Sequence, residues 1–338
     1  MHGTPEDEKK RNLSFRAVHV FRGLMSSGPV AVIDIGSNSI KVLVATRAEG
    51  GGLRTLLSRT IDARISAGLS RAAPHLSEAG MESGLQAVRA LLAEAAAFSP
   101  ARMVLVATSA VRDAQNGAEF RDRLRLATGH DIRILSGHEE ANLIGLGLSA
   151  DPALRGLQDF YVFDLGGGSL ECLAFRERRI GQAVSLPLGC VRLTERFVRD
   201  PALPLTETAR AELTAHARET LTRAGFAFSL PAGAVAIGTG GTVATARAIF
   251  GARDRVPFES TNPVVTVAQL QELLAWIGAL PLAQRQAIAG LPPARADVFP
   301  VALVTLIAVF EVGGFSSCQN SLHTLRHGLA DEALAALE

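Results

Sequence analysis

The sequence predicts an α/β protein of two similar domains that face each other across a shared cleft. One motif occurs twice, at residues 31–39 and 161–169: an apolar strand ends in an aspartate, and a turn of small residues and a second apolar strand follow. With 338 residues, the chain suits two domains better than a single core. Strand-like and helix-like segments alternate along the chain, as they do in α/β domains.

In the first half, the motif predicts a hairpin whose second strand spans residues 40–45. Ser77 is a suitable N-cap for a helix over residues 77–98. The apolar stripe of this helix consists of Met81, Leu85, Val88, Leu91 and Leu92. The elements predicted after it are a strand at 103–107, a helix at 117–127, a strand at 132–135 and a helix at 141–148.

The second half repeats this arrangement and begins with a hairpin at residues 161–175. A strand at 235–237 leads into the glycine-rich loop 238–242 and a helix that ends at Ile249. The other predicted elements are a strand near 180–187 and helices at 191–199, 207–224, 267–277, 300–312 and 331–337.

These elements place one domain at residues 29–137 and the other at residues 138–324. Residues 1–28 are polar and basic, and they predict a flexible N-terminal extension. The C-terminal segment, about residues 325–338 with its helix, is expected to pack back on the first domain.

Composition and charge exclude several classes of protein. A 48% hydrophobic and 20% charged composition is typical of globular proteins, and a net charge of +1 gives no overall field that attracts nucleic acid or an anionic membrane. The longest apolar run, residues 301–310, is too short to span a bilayer, and no signal peptide is recognisable. Cys172 and Cys190 lie in apolar segments, which predicts core thiols and a cytoplasmic location.

Polar and glycine residues follow five predicted strands, at 34–39, 108–112, 136–140, 164–169 and 238–242. Functional residues of open α/β sheets gather at such carboxyl ends of strands. In a tight turn of small residues, successive backbone N–H groups form an anion-binding concavity, and a neighbouring aspartate can hold a metal ion. The pattern therefore predicts a phosphate-handling site. The alternative is a pair of ordinary hairpins in which Gly and Asn serve the turns.

Several motifs occur in a characteristic order. They are Asp-Ile-Gly-Ser-Asn-Ser at 34–39, Ala-Thr-Ser-Ala-Val-Arg at 107–112, Ser-Gly-His-Glu-Glu-Ala at 136–141, Asp-Leu-Gly-Gly-Gly-Ser-Leu-Glu at 164–171, Leu-Gly-Cys-Val at 188–191, Gly-Thr-Gly-Gly-Thr at 238–242 and Arg-Ala-Asp at 295–297. From about residue 30 to the end, the chain closely resembles the exopolyphosphatase/guanosine pentaphosphate phosphohydrolase (Ppx/GppA) family of the actin-like ATPase superfamily. The resemblance implies two actin-like (ribonuclease H-like) domains with the active site in the cleft between them.

The resemblance also implies roles for individual residues. Glu140 matches the carboxylate that orients or deprotonates the attacking water, and Arg112 matches a residue that grips the attacked phosphate. Asp164 and Glu171 match the acids of a site for Mg²⁺, with Mn²⁺ as the alternative metal. The residues that resemble phosphate-binding positions are Asp34, Gly36, Ser37, Asn38, Ser39, Lys41, Gly166, Gly167, Gly168, Ser169, Gly240, Gly241, Thr242 and Arg295.

Four of these positions also have a purely structural interpretation. Glu140 would be a carboxylate in the first turn of a helix, where the helix dipole favours it, and Arg112 a surface residue at a helix start. Asp164 would form a turn, and Glu171 would be a solvent-facing strand residue.

The implied activity is hydrolysis of the terminal phosphoanhydride bond of inorganic polyphosphate, of guanosine pentaphosphate or of both. One alternative is a regulatory protein that binds polyphosphate or guanosine tetraphosphate with weak turnover, and another is an actin-like kinase. The segment 136–140 favours the phosphohydrolase over the kinase. Both substrates present the same terminal bond, so the choice between them stays open. No nucleic-acid or membrane partner is expected, and a homodimer is one open possibility for the oligomeric state.

Two features depart from the pattern of the family. Residues 325–328 read Leu-Arg-His-Gly, where the family often has Leu-Arg-Glu-Gly. The last recognisable motif ends near Gly328, which corresponds to a short form without the extra C-terminal domain of longer members. This length predicts distributive or weakly processive hydrolysis of long polyphosphate.

Overall fold

The computed structural model describes residues 28–69 and 74–338. The predicted flexible extension, residues 1–28, lies outside the described residues except for Gly28.

The first sheet begins with the predicted hairpin. Strands β1 (Val30–Ile35), β2 (Ile40–Arg47) and β3 (Leu53–Ile61) form an antiparallel meander, and β4 (Arg102–Ala107) and β5 (Ile132–Ile134) continue the sheet in parallel beyond β1. The strand order is β3-β2-β1-β4-β5. All residues of β1 are buried, as expected for a strand that is covered on both faces.

Helices that connect strands of this sheet along the chain pack against it. They are α1 (Glu78–Ala96), α2 (Ser109–Asp113) and α3 (Gly117–Thr128). The predicted N-cap of α1 is confirmed, because the Ser77 hydroxyl accepts a hydrogen bond from the Gly80 N–H at 3.1 Å. From the predicted stripe, Met81, Val88 and Leu91 are buried in the core of this domain.

The second sheet repeats the topology of the first and adds one edge strand. Its strands are β6 (Phe160–Leu165), β7 (Leu170–Arg176), β8 (Arg179–Leu186), β9 (Val235–Thr239), β10 (Val264–Thr266) and β11 (Ser317–Asn320). The order is β10-β11-β9-β6-β7-β8, in which β8-β7-β6-β9-β11 corresponds to β3-β2-β1-β4-β5.

The remaining helices follow in chain order. They are α4 (Gly137–Ser149), α5 (Cys190–Phe197), α6 (Glu207–Arg223), α7 (Gly241–Asp254), α8 (Val267–Gly278), α9 (Leu282–Arg285), α10 (Phe299–Gly313) and α11 (Leu325–Ala335), with 3₁₀ turns at Pro152–Leu154, Phe258–Ser260 and Pro293–Arg295. Every residue of α10 from Phe299 to Phe310 is buried, so this apolar helix is the centre of the second core. Among the described residues, no helix is both long and apolar enough to cross a membrane.

Helices α4 and α11 fill the space between the two sheets. Their apolar side chains share one core with Val30 of β1 and Phe160 of β6. The helices touch at two glycines: a Cβ on Gly147 would lie 2.3 Å from the Thr324 carbonyl oxygen, and one on Gly328 would lie 2.1 Å from the Leu143 carbonyl oxygen. The absence of these side chains lets the two helix backbones meet.

The structure corrects several predicted elements. Helix α4 begins at Gly137 rather than at residue 141, because Ser136 and Glu139 form a capping box. Helix α11 spans Leu325–Ala335, close to the C-terminal helix expected at about residues 325–338 and longer than a helix at 331–337. Strands β3, β10 and β11 were not predicted. The sequence of β11, Ser-Cys-Gln-Asn, has little strand propensity, and this strand forms by pairing with β9 and β10.

Candidate active site

A cavity of about 560 Å³ lies between the two sheets and is lined by residues of both domains. It is bounded by the two motif turns, 36–39 and 166–169, and by the segments after β4 and β9. The cavity therefore lies where the carboxyl ends of the central strands of both sheets meet.

The two motif turns are closed by equivalent backbone hydrogen bonds. In the first, the Gly36 N–H donates to the Ser39 carbonyl at 3.2 Å, and in the second the Gly166 N–H donates to the Ser169 carbonyl at 2.9 Å. The turns lie against each other, since a Cβ on Gly168 would lie 2.6 Å from the Ser37 hydroxyl oxygen. Side chains of the first turn thus occupy the space above the bare backbone of the second.

A segment outside each turn donates hydrogen bonds to the backbone carbonyl groups of that turn. The Ser37 carbonyl accepts hydrogen bonds from the Ser66 N–H at 3.2 Å and from its hydroxyl at 3.1 Å. On the other side, the Gly166 carbonyl accepts from the Cys190 N–H at 3.0 Å and the Gly167 carbonyl from the Val191 N–H at 2.9 Å. With their carbonyls engaged in this way, the turns are fixed in position.

The aspartate of each motif faces a different partner across its hairpin. Asp34 of β1 is opposite Lys41 of β2, whereas Asp164 of β6 is opposite Glu171 of β7. The two hairpins are equivalent in topology, so one carries a pair of opposite charges and the other a pair of like charges.

The acids on the second side of the cavity are poorly solvated. Glu140 is 7% exposed, and burial raises its pKa to about 7 against the opposing effect of Arg112. Burial raises the pKa of Asp164 to about 6 and that of Glu171 well above its usual value. The Ser185 hydroxyl donates to Glu171 at 2.7 Å. Glu171 is 2% exposed, so its interpretation as a solvent-facing residue is wrong.

The cations of the cavity lie on both sides of it. Burial lowers the pKa of Lys41, and the attraction of Asp34 opposes this effect. Arg295 packs against Gly241, where a Cβ would lie 2.0 Å from its Nη1 atom. Gly240 is equally constrained, because its φ is +76° and a Cβ would lie 2.1 Å from an Asp164 carboxylate oxygen.

Two predicted site residues lie outside the cavity lining. The Arg112 Nη1 group donates to Glu140 Oε2 at 2.8 Å and to the Leu135 carbonyl at 3.1 Å, so Arg112 contacts the carboxylate and not the cavity itself. Thr242 is fully buried at the start of α7. The structure brings the other predicted residues together in the lining: Asp34, Gly36, Ser37, Asn38, Ser39, Lys41, Glu140, Asp164, Gly166, Gly167, Gly168, Ser169, Glu171, Gly240, Gly241 and Arg295.

Sequence reasoning missed several residues of the lining. Ser109 comes from the segment after β4, and its hydroxyl lies 2.9 Å from that of Ser37. Its position in the motif at 107–112 was an available signal. Arg326 reaches the cavity from α11, and no role was predicted for it.

The residues present fit a magnesium ion that is only partly bound by protein. Among residues 28–69 and 74–338, no three His, Cys, Asp or Glu side chains are placed to hold a metal ion together. Mg²⁺ is often bound by one or two carboxylates and completed by water and substrate phosphates. Asp164 and Glu171 supply hard oxygen atoms, and the raised pKa of each carboxyl shows that burial leaves its charge poorly compensated. A cation at this position would relieve that cost.

Ion pairs cross between the domains beside the cavity. Arg64, after β3, forms an ion pair with Asp297 and also donates to the Ala294 carbonyl at 2.9 Å. Arg192 of α5 forms an ion pair with Asp113 of α2 and donates to the Gly168 carbonyl at 2.8 Å. These contacts hold the two motif turns close together.

Comparison with known proteins places this geometry in context. The chain matches the model of the Ppx/GppA phosphatase family over residues 42–336. A Ppx/GppA family member from Aquifex aeolicus is 25% identical, with 91% of this chain and 98% of that chain covered and a TM-score of 0.73. An exopolyphosphatase-like protein is 25% identical, with 92% of this chain and 100% of that chain covered and a TM-score of 0.81.

A third solved structure is similar over the same extent. An exopolyphosphatase from Cytophaga hutchinsonii is 23% identical, with 92% of this chain and 99% of that chain covered and a TM-score of 0.81. At this identity the likeness concerns the fold. The shared architecture confirms the predicted fold class, two actin-like α/β domains that face an interdomain cleft.

Proposed function

Because the chain belongs to the Ppx/GppA phosphatase family and is a phosphohydrolase, we propose that it removes the terminal phosphate of a phosphoanhydride chain. The substrate is inorganic polyphosphate or guanosine pentaphosphate, and a water molecule activated by Glu140 attacks the terminal phosphorus. The observation that carries this proposal is the Glu140 carboxylate, a buried group in the cavity wall with a pKa raised to about 7.

A general base works best when its pKa lies near the operating pH, because it then combines the correct protonation state with a useful proton affinity. An ordinary glutamate is too weak a base for this role, and burial strengthens Glu140. Arg112 donates to one oxygen of Glu140, Oε2, at 2.8 Å. We assign Arg112 as a positioning residue for the base. Arg112 does not line the cavity, so a direct grip on the attacked phosphate, as predicted from the sequence, would require its side chain to move.

The two motif turns and the loop after β9 supply the phosphate-binding surface in this proposal. Phosphoryl transfer depends mainly on positioning and on stabilising the charge of the equatorial oxygens. Backbone N–H groups in small-residue turns provide donors at short range, and Ser37 and Ser39 add hydroxyl groups. Lys41 and Arg295 would contact the remaining negative charges of the chain.

Asp164 and Glu171 would hold Mg²⁺, which when bound neutralises charge that develops on the phosphate oxygens. The exopolyphosphatase-like protein of similar structure supports a polyphosphate substrate, because it is 25% identical over 92% of this chain. Guanosine pentaphosphate offers the same terminal bond to the same residues.

The test is the activity of Glu140→Gln on polyphosphate and on guanosine pentaphosphate. The change keeps the shape of the side chain but removes the proton acceptor, so kcat should fall by about 10²–10⁴-fold with KM little changed. Glu139→Gln is the matched control. Glu139 is the neighbouring carboxylate, but it caps α4 and pairs with Arg133 on the protein surface.

Retention of more than about a third of the wild-type kcat by Glu140→Gln would place the base elsewhere. If the wild-type protein binds polyphosphate or guanosine tetraphosphate without releasing phosphate, the chain is a regulatory binder and not the enzyme proposed. For the wild type, kcat/KM should fall as the pH drops through about 7, since protonation of Glu140 removes the base.

A further inference from the structure

Arg326 of α11 is a buried arginine that the mechanism above does not use. It is 8% exposed and lines the cavity, although it lies in the C-terminal helix. Its Nη1 group donates to the Val42 carbonyl at 3.1 Å and reaches the Ser58 hydroxyl at 3.5 Å. Its Nε group is buried and has no hydrogen-bond partner among the described residues. An arginine has five N–H donors, so much of its capacity is unused here.

Two other buried arginines also have an unpartnered Nε group, and they show what a structural arginine looks like in this protein. Arg247 donates through both terminal nitrogens to Asn320, Phe258 and Thr261. Arg285 donates through both terminal nitrogens to three backbone carbonyls. Neither of them lines the cavity. In contrast, the hydrogen bonds that the described structure gives Arg326 all come from Nη1.

The helix that carries Arg326 adds a second feature that favours an anion. Thr324, Leu325 and Arg326 all line the cavity, so the N-terminus of α11 borders it. The first N–H groups of a helix lack partners within the helix, and the helix dipole makes this end positive.

Arg326 is also close enough to Lys41 to lower the pKa of the lysine by repulsion. Burial lowers the pKa of Arg326 itself, and the attraction of Asp34 and Asp164 opposes this effect. An unpaired buried guanidinium beside a helix N-terminus and a lysine matches a phosphate group.

The hydrogen-bond partners of Arg326 lie along β2 and β3 and not at the motif turn. The partner Val42 lies three residues beyond Ser39 on β2, a distance of about 10 Å at the usual rise of a strand. In the proposed function, the attacked phosphate lies at the turns. A group bound by Arg326 would therefore be further along the substrate.

We propose that Arg326 and the N-terminus of α11 form a phosphate-binding subsite for a non-scissile phosphate group of the substrate. This inference rests on the proposed function for the identity of the substrate. It makes Arg326 a residue of substrate affinity and leaves the chemical step to Glu140. Because α11 packs on both β1 and α4, the subsite would also link substrate binding to contacts of both domains.

Steady-state kinetics of Arg326→Gln on polyphosphate test this subsite. A charged hydrogen bond lost from a buried site weakens binding by about tenfold or more, so KM should rise about tenfold while kcat stays within about threefold. Arg326→Lys should give an intermediate KM, since it keeps the charge but not the planar fork. The rise in melting temperature that a given concentration of inorganic tripolyphosphate causes in the wild type should be smaller in Arg326→Gln.

Arg247→Gln is the matched control, because it removes a buried guanidinium from a place outside the cavity. It should lose stability but keep the wild-type KM and the wild-type response to tripolyphosphate. If Arg326→Gln and Arg326→Lys instead behave like this control, Arg326 is a structural residue and the inference is overturned.

The binding measurement separates this inference from the proposed function. If wild-type protein releases no phosphate from either substrate, the proposed hydrolysis fails. The affinity for tripolyphosphate, measured by calorimetry, then tests the phosphate-binding subsite independently of hydrolysis. A tenfold weaker affinity in Arg326→Gln supports it, and equal affinity in the two proteins, or no binding by the wild type, refutes it.

Discussion

The two domains share one strand order, yet their equivalent hairpins carry opposite chemistry. In the first domain, Asp34 is opposite Lys41 across the hairpin, and in the second Asp164 is opposite Glu171. The lysine and the glutamate occupy corresponding places, seven residues after the motif aspartate. The two hairpins therefore share one topology, but the residue at this position is basic in the first domain and acidic in the second.

This reversal suggests a division of labour across the cavity. The second side carries Glu140, Asp164 and Glu171, acids that suit a metal ion and an attacking water. The first side carries Lys41 and the serine-rich turn 36–39, which suit the oxygens of a phosphate chain. A cleft with two such walls can hold a polyanion and its cation at the same time.

The turns differ for a steric reason. The first reads Gly-Ser-Asn-Ser and the second Gly-Gly-Gly-Ser. A Cβ on Gly167 would lie 3.1 Å from the Ser37 Cβ, and one on Gly168 would lie 2.2 Å from the Ser109 hydroxyl oxygen. Only one of the two turns can carry side chains when the domains are this close.

The largest expected effect comes from replacing the charged residue opposite each motif aspartate, Glu171 or Lys41, with a neutral glutamine. Glu171→Gln should raise the Mg²⁺ concentration for half-maximal activity at least about tenfold and lower kcat/KM by about 10³-fold, because charge stabilisation by a metal is worth several kcal/mol. Lys41→Gln should instead raise KM about tenfold and leave the half-saturating Mg²⁺ concentration unchanged.

The readout is phosphate release against both Mg²⁺ and substrate concentration. Each variant is the control for the other, since they occupy corresponding positions in the two hairpins. Were both variants to change the same parameter, the division of labour between the two walls would be wrong.

A smaller loss is expected when the fit between the turns is disturbed. Gly168→Ala places a methyl group 2.2 Å from the Ser109 oxygen, so the turns must separate, and a displacement of about 1 Å at a reacting centre can cost about 10²-fold in rate. Gly166→Ala is the control, because its Cβ would lie 3.4 Å from the Ser169 carbonyl oxygen, an ordinary contact.

The comparison is made on kcat/KM at saturating Mg²⁺. Equal activity of the two alanine variants would show that the close approach of the turns is unimportant for the reaction.

The sequence predicted the fold where local signals agree with the tertiary structure. The duplicated motif, the N-cap at Ser77 and the alternation of strands and helices identified the two domains and most elements. The missed strands lack such signals. Strand β3 is partly exposed along its length, and the polar β11 is a strand only because β9 and β10 flank it.

The sequence predicted the site residues that follow the ends of strands. It did not predict the contacts of residues on helices that are distant in sequence from those strands. Most predicted residues line the cavity, because the carboxyl ends of parallel strands meet at one sheet edge. The C-terminal helix was expected to pack on the first domain, but nothing local shows that its Arg326 reaches β2 beside the cavity. The contact of Arg112 with Glu140 depends likewise on how α2 packs against α4.

The smallest expected effect concerns stability, and it tests the like-charge pair without any substrate. Burial raises the pKa of Asp164 to about 6 and that of Glu171 well above its usual value, whereas both groups titrate near 4 in the unfolded chain. Between these values the folded protein binds more protons than the unfolded one, so the free energy of unfolding decreases as the pH rises. Glu171→Gln removes one of these ionisations. In Mg²⁺-free buffer at pH 8, its melting temperature should exceed that of the wild type by roughly 1–2 °C, the shift expected for about 1 kcal/mol in a chain of 338 residues.

The gain should be much smaller near pH 4, where Glu171 is protonated in the folded protein and mostly protonated in the unfolded chain. Glu139→Gln is the contrasting variant, because the hydrogen bonds of Arg133 and Ser136 lower the pKa of Glu139 to about 2, so its charge stabilises the folded protein and its removal should lower the melting temperature at pH 8. Scanning calorimetry from pH 4 to pH 8 compares the three proteins. An increase for Glu171→Gln of the same size at both ends of the range would mean that packing, and not the charge of the pair, limits stability.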